Sequence, residues 1–278
     1  MNGIEALVVH PASKDLLTRT AMNPPQSLLI SGERGIGLQT IAQAMAARTV
    51  VALLLPQNAK GELDENGTIS AEAVRKLYEQ TRTKHTSRQL VIIDDADRMS
   101  HGAQSAFLKL LEEPGQHTAF ILTSHFPDKL LPTIRSRVQH LALRPATSDQ
   151  TRDFIASLSI TDPTKQTQLL YLAGGRPAEI ARLVADDDAF AGRAAIIGDA
   201  RQLLQGTGYQ KSLVIQKYRS DRAKALLLID STIAMLRHTL SSKPQQTLVA
   251  QLERLLEIRE HIASNYSVSL QLMQFVLQ

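Results

Sequence analysis

Ser27-Leu28-Leu29-Ile30, then Gly32-Glu33-Arg34-Gly35-Ile36-Gly37, then Leu38-Gln39-Thr40: the reading of this stretch decides the fold. After the Pro24-Pro25 break, the short apolar run reads as a buried strand. Thr40 to Val50, rich in Ala with Ile41, Ala44, Met45 and Thr49 at helical spacing, reads as a helix. A strand, a glycine turn and a helix in that order can cradle a phosphate, because glycines let backbone N–H groups converge at a helix N-terminus. Gly32, Gly35 and Gly37 supply that part. The rest of the phosphate pattern is missing. At the spacing G-x-x-x-x-G-K-[ST], Leu38 stands at the lysine position and Gln39 at the hydroxyl position that would ligate Mg²⁺. Thr40 lies one residue later, about 100° further round the helix. On this loop alone, the glycines serve either a degenerate nucleotide site or a plain strand-to-helix turn.

Working outward, Leu7, Leu16 and Leu17 suggest a helix upstream. Downstream, Ala52–Leu55 reads as a second strand, the 58–67 region as polar loop, and Ser70 as the cap of a helix through Val74, Leu77 and Tyr78. Leu90-Val91-Ile92-Ile93 is a continuous apolar run of the kind buried on both faces of a parallel sheet. A helix with Ala106, Phe107, Leu110 and Leu111 on one face stops at Pro114-Gly115, and Ala119–Leu122 is a further buried strand. Strands alternating with helices imply an α/β fold with a parallel sheet. Past about residue 146 the strand signal ends, and helical pieces are broken at Asp162-Pro163, Gly174-Gly175-Arg176-Pro177, Gly206-Thr207-Gly208 and Lys243-Pro244.

Composition narrows the function classes. With 278 residues, 43% hydrophobic and 21% charged, the chain is an ordinary globular protein rather than a disordered one. The absence of cysteine excludes disulfides, thiolate nucleophiles, iron–sulfur clusters and cysteine-based zinc sites. A net charge of +4 permits nucleic acid as a partner, while 4% aromatics and no Trp argue against base stacking on an aromatic platform. No stretch resembles a membrane span, and the start of the chain, with Glu5 and His10 and no basic flank, suggests a cytoplasmic protein.

Asp94-Asp95 closes the third apolar run, where a nucleotide hydrolase places a Mg²⁺-binding Asp beside a base that orients water. The base is usually Glu; here it is Asp95, one methylene shorter. Two carboxylates capping the next turn are the alternative. Taken together, Val91-Ile-Ile-Asp-Asp-Ala-Asp-Arg-Met99, Ala106-Phe-Leu-Lys-Leu-Leu-Glu-Glu-Pro114 and Leu130-Leu-Pro-Thr-Ile-Arg-Ser-Arg137 resemble, in order and spacing, the signatures of the clamp-loader family of AAA+ proteins. The likeness runs from about Val9 to Pro145, continues weakly through the Gly-Arg-Pro turn and fades to helical character in the C-terminal third.

The resemblance implies an AAA+ P-loop core over 1–146, a small helical lid over 147–186 and an all-helical, collar-like C-terminal domain over 187–278. In the family, a Ser-Arg-Cys segment projects an arginine into the ATP site of the neighbouring subunit. Here it is Ser136-Arg137-Val138, with the arginine kept and the cysteine replaced. Ser124 falls where a polar sensor reads the γ-phosphate, and either Ala178 or Arg176 falls at a second sensor position in the lid. The family's four-cysteine zinc module cannot be present, and 52–89 is correspondingly compact. Every departure damages this chain's own site, whereas Arg137 would serve another chain. The resemblance therefore implies a subunit that does not itself hydrolyse ATP, with ATP and Mg²⁺ at the neighbour's site. Its implied partners are gamma/tau-like ATPase subunits and a delta-like subunit, with a sliding clamp and primer–template DNA reached through the complex.

The eight histidines show no metal-ligand spacing and imply no metal. Lys211, Lys217, Arg219, Arg222 and Lys224 form a basic stretch that reads as a solvated helix face or as a contact for DNA phosphates or an acidic partner. Leu248, Leu252, Leu255 and Leu256, then Leu270, Met273, Phe275 and Val276, suit either a helical collar or an internal core. Two further readings stand beside the main one: an AAA+ ATPase working through a divergent loop with Thr40 and Asp95, and a stand-alone DNA-binding or adaptor protein.

Overall fold

The computed structural model describes residues 3–46, 50–64, 67–81, 89–115, 117–242 and 245–276. Thr49 and the Lys243-Pro244 break, both used in the sequence reading, lie outside these residues. The chain falls into two compact units, Met1–Arg182 and Leu183–Gln278.

In the first unit the order is α1 (Pro11–Met22), β1 (Ser27–Ser31), α2 (Leu38–Ala46), β2 (Val50–Leu54), α3 (Ala71–Thr81), β3 (Gln89–Ile93), α4 (His101–Glu112), β4 (Thr118–Ser124), α5 (Pro132–Arg135), β5 (Gln139–Ala142), α6 (Ser148–Ser157), α7 (Pro163–Ala173) and α8 (Pro177–Ala185), whose last turn passes the division between the units. The five strands form one parallel sheet ordered β2-β3-β4-β1-β5. Because successive strand side chains point to opposite faces, each apolar run feeds two cores. Leu28, Ile30, Leu90, Ile92, Ala119 and Ile121 pack on one side with Leu17 of α1 and Ile41 of α2. Leu29, Val91, Ile93, Phe120 and Leu122 pack on the other with Val74 and Leu77 of α3 and Phe107 and Leu110 of α4. The result is a sheet covered on both faces, and the Phe107 and Phe120 rings meet edge to face at 5.3 Å.

Two boundaries differ from the sequence reading. The helix expected over 40–50 begins earlier, at Leu38, and its described residues end at Ala46, while Val50 opens β2. The strand β5 follows where no strand was expected, and of its four residues only Leu141 is buried, so it forms no continuous apolar run. Ser70 caps α3 as its position implied, accepting from the Ala73 amide at 3.2 Å.

The lid-like helices begin with a capping box, in which Thr147 and Gln150 satisfy each other's backbone amides. Gln150 also donates to the Val9 carbonyl at 2.9 Å, tying α6 to the start of the core. Most of the segment expected as a lid, 147–186, belongs to the first unit.

In the second unit, α9 (Asp187–Gln205), α10 (Gly208–Tyr218), α11 (Arg222–Ser242), α12 (Gln246–Ala263) and α13 (Val268–Val276) surround their own core of Leu203, Tyr218, Leu228, Ile229, Leu255, Ile262 and Leu272. No described helix is long and apolar enough to cross a membrane.

Candidate functional site

Strand register brings the candidate residues to one end of the sheet. Ser31 pairs with Ser124, and Ile93 with Leu122, so the glycine loop after β1, the acidic pair after β3 and the end of β4 are neighbours. This carboxyl edge is where open α/β sheets hold ligands. Gly32 donates to the Ser124 carbonyl at 3.3 Å.

The loop adopts the turn its glycines permit: Gly35 and Gly37 lie at φ +88° and +89°, where a side chain would be strained. Leu38, at the lysine position, is buried among Leu28, Ile36 and Ile41 rather than turned toward the loop's mouth. Gln39 is half-buried and Thr40 exposed.

The N-terminus of α8 sits directly on the loop. The Glu179 amide donates to the Gly35 carbonyl at 3.1 Å, and a Cβ on Gly35 would lie 2.7 Å from that of Glu179. Of the two candidates in the lid, Ala178 faces the loop: a Cβ on Gly37 would lie 3.4 Å from its methyl. The stem of Arg176 covers Gly35, but its guanidinium donates to the Leu172 carbonyl at 2.6 Å.

The acidic groups are bound within the chain. Thr123 donates to Asp94 at 2.6 Å and accepts from the Asp95 amide at 3.0 Å. Burial holds the Asp94 carboxyl above the ordinary carboxylate range, opposed by the Thr123 hydrogen bond and reinforced by the charge of Asp95. Asp95 takes the left-handed conformation, φ +48°, which starts the 3₁₀ turn Ala96–Arg98.

Ser124 is fully buried and donates to Asp97 at 2.7 Å, so its hydroxyl hydrogen is committed within the chain. Asp97 also accepts from the His125 amide at 3.0 Å. The His125 Nδ1 lies 2.8 Å from the Gly32 carbonyl, which only accepts, so Nδ1 carries a hydrogen. Its Nε2 lies 3.5 Å from Asp95. His125 thus spans from the glycine loop to the acidic pair, and sequence reading missed it. These contacts join residues far apart in the chain and leave no local spacing to find.

These groups do not fit a nucleotide-bound Mg²⁺. The lysine position is apolar and buried, the hydroxyl position is an amide, and Asp94 is engaged by Thr123. Among the described residues no group of three or more carboxylates or imidazoles is placed to hold a metal ion.

Arg137 lies apart from this cluster, in the turn between α5 and β5. Its side chain is 40% exposed, pairs with Glu112 at 3.0 Å and donates to the Thr133 carbonyl at 3.0 Å. Arg135 pairs instead with Asp128 at 2.6 Å. His140, considered with them in the sequence, meets Ser31 at 2.7 Å.

The basic stretch of the second unit is partly engaged by its own unit. Lys217 pairs with Asp199 at 2.5 Å, Lys224 with Asp221 at 3.3 Å, and Arg222 donates to the Ile262 carbonyl.

Comparison with known proteins finds relatives among the subunits of DNA polymerase III. Residues 57–147 match the family model described as DNA polymerase III, delta subunit. The delta' subunit of DNA polymerase III from Pseudomonas aeruginosa is 30% identical over 178 residues, covering 56% of this chain and 54% of that protein. The delta' subunit of Bacillus subtilis is 29% identical over 138 residues, covering 50% of this chain and 41% of that protein. The chain thus spans about half the length of these relatives. A gamma subunit-related protein of DNA polymerase III from Thermotoga maritima shares the fold over 95% of this chain and 97% of its own, with a TM-score of 0.50 and 22% identity. With a parallel α/β sheet of the AAA+ kind and these relatives, the chain is similar to the clamp-loader family of AAA+ proteins, and to its delta' members in particular, over about half of its length.

Proposed function

We propose that this chain is a non-hydrolysing subunit of a DNA polymerase III clamp loader, lending Arg137 to the ATP site of a neighbouring gamma/tau-like subunit. The observation that carries this reading is the burial of Leu38. The residue that should meet a terminal phosphate is part of the apolar core, while a cationic side chain stands exposed elsewhere on the same unit. The contacts of Thr123 with Asp94 and of Ser124 with Asp97 support it, since they engage the carboxylate and the hydroxyl that an ATPase of this family would turn to metal and phosphate.

In this mechanism the chain's own loop is structural. Arg137 offers a planar, permanently charged fork to the oxygens on which charge grows as the neighbour's γ-phosphate departs. Contributions of that kind reach about 10³–10⁵ in rate. The assembly then uses the neighbour's ATP cycle to open a sliding clamp and place it on primer–template DNA in the cytoplasm.

The test is ATP turnover by the chain alone and reconstituted with its organism's ATPase subunits, clamp and primed DNA. The lone chain is expected to be silent, and Arg137→Ala should lower the mixture's rate at least about tenfold without breaking assembly. Turnover by the lone chain would point instead to an ATPase working through a divergent loop. Failure to associate with the ATPase subunits would point to a stand-alone adaptor.

A further inference from the structure

We propose that Glu112 is a positioning residue that aims Arg137. The inference rests on the reading of Arg137 given above.

The backbone of the turn is fixed first: the Arg137 amide donates to Ile134 at 2.9 Å, and the Ser136 hydroxyl to the Thr133 carbonyl at 3.1 Å. A long side chain leaving a fixed turn still samples many rotamers unless something holds its far end. Two contacts do so. Nη1 donates to Thr133, and Nη2 meets Glu112 across from α4. A guanidinium has five N–H groups, so most of the fork remains available to an incoming anion.

The placement of Glu112 is poorly explained by the helix that bears it. It is the last residue of α4, beside Glu113, and a carboxylate there faces the negative end of the helix dipole. The pair is also exposed, at 40% and 54%, where ion pairs add little to stability. Orientation is the contribution left to it. Once a neighbouring subunit covers the turn and excludes water, the same pair strengthens while the far end of the arginine is already held.

The experiment uses the reconstituted assembly with primed DNA, reading kcat and the KM for ATP for Glu112→Ala, Glu112→Asp, Arg137→Ala and the double variant. Glu112→Ala is expected to lower kcat about threefold to thirtyfold with KM changed by less than about twofold. Glu112→Asp should recover part of the loss, and the double variant should be no slower than Arg137→Ala alone, because the glutamate acts only through the arginine. The melting midpoint and complex formation should stay at wild-type values. The proposal is overturned if Glu112→Ala leaves kcat unchanged or raises it while Arg137→Ala lowers it, or if the two losses multiply. If Arg137→Ala itself has no effect, the reading of the arginine fails and this inference falls with it.

Discussion

Asp94 sits under Thr123 in a partly buried corner that raises its affinity for a proton. A carboxyl whose folded pKa lies above its unfolded value loses stability as pH climbs from the ordinary carboxylate range through the raised value, because the folded state binds the proton more tightly. Asp94→Asn keeps an oxygen for Thr123 and removes the charge. It should raise the melting midpoint by about 2–4 °C at pH 7, a benefit that shrinks as the solution is acidified below the ordinary carboxylate range. Thermal melts at several pH values check this; a midpoint lowered at pH 7 would refute the account. The places of Asp94, Asp95 and the three glycines were legible, because each follows directly on an apolar run that reads as a strand. The partners of these residues were not, since Thr123 and His125 reach them across 28 to 93 positions of chain.

Elements differ in how openly they announce themselves. β1, β3 and β4 are buried at every position, and their apolar runs read directly. β5 is a sheet edge with only Leu141 buried, so Gln139-His140-Leu141-Ala142 gave no run to detect. α4 is held by a side chain whose importance no pattern discloses. Gln104, buried in the helix, donates to the Met99 and Lys129 carbonyls at 3.3 and 3.2 Å and accepts from the Leu131 amide at 2.8 Å. It fixes the segment that leads into α5 and Arg137. Gln104→Ala strands three backbone groups and should cost about 2–3 kcal/mol, seen as a lower urea midpoint; a change within error would mean the segment is held elsewhere.

At the scale of the molecule, each compact unit has its own apolar cores, and large-to-small changes should be felt unit by unit. Phe107→Ala should cost about 3–5 kcal/mol in the first unit, and Leu228→Ala about 2–5 kcal/mol in the second. Hydrogen exchange read peptide by peptide should show each loss of protection confined to the unit that carries the substitution; uniform loss across the chain would show a single cooperative fold. The α/β class of the first unit was written in its alternation of strands and helices. Of the second, only helical periodicity could be read, because amphipathic faces do not say which helix covers which.

The turn that carries Arg137 can also be viewed as a mechanical joint. A pull on its guanidinium divides into two paths. One runs along the backbone into β5, which is laced to β1 by the pairs from Leu28↔Gln139 to Ser31↔Ala142. The other passes through Glu112 into the end of α4 and from there to the opposite side of the sheet. Load taken at this one exposed side chain is therefore shared between the sheet and a helix packed on it, as through a tie and a strut, instead of bending the turn alone.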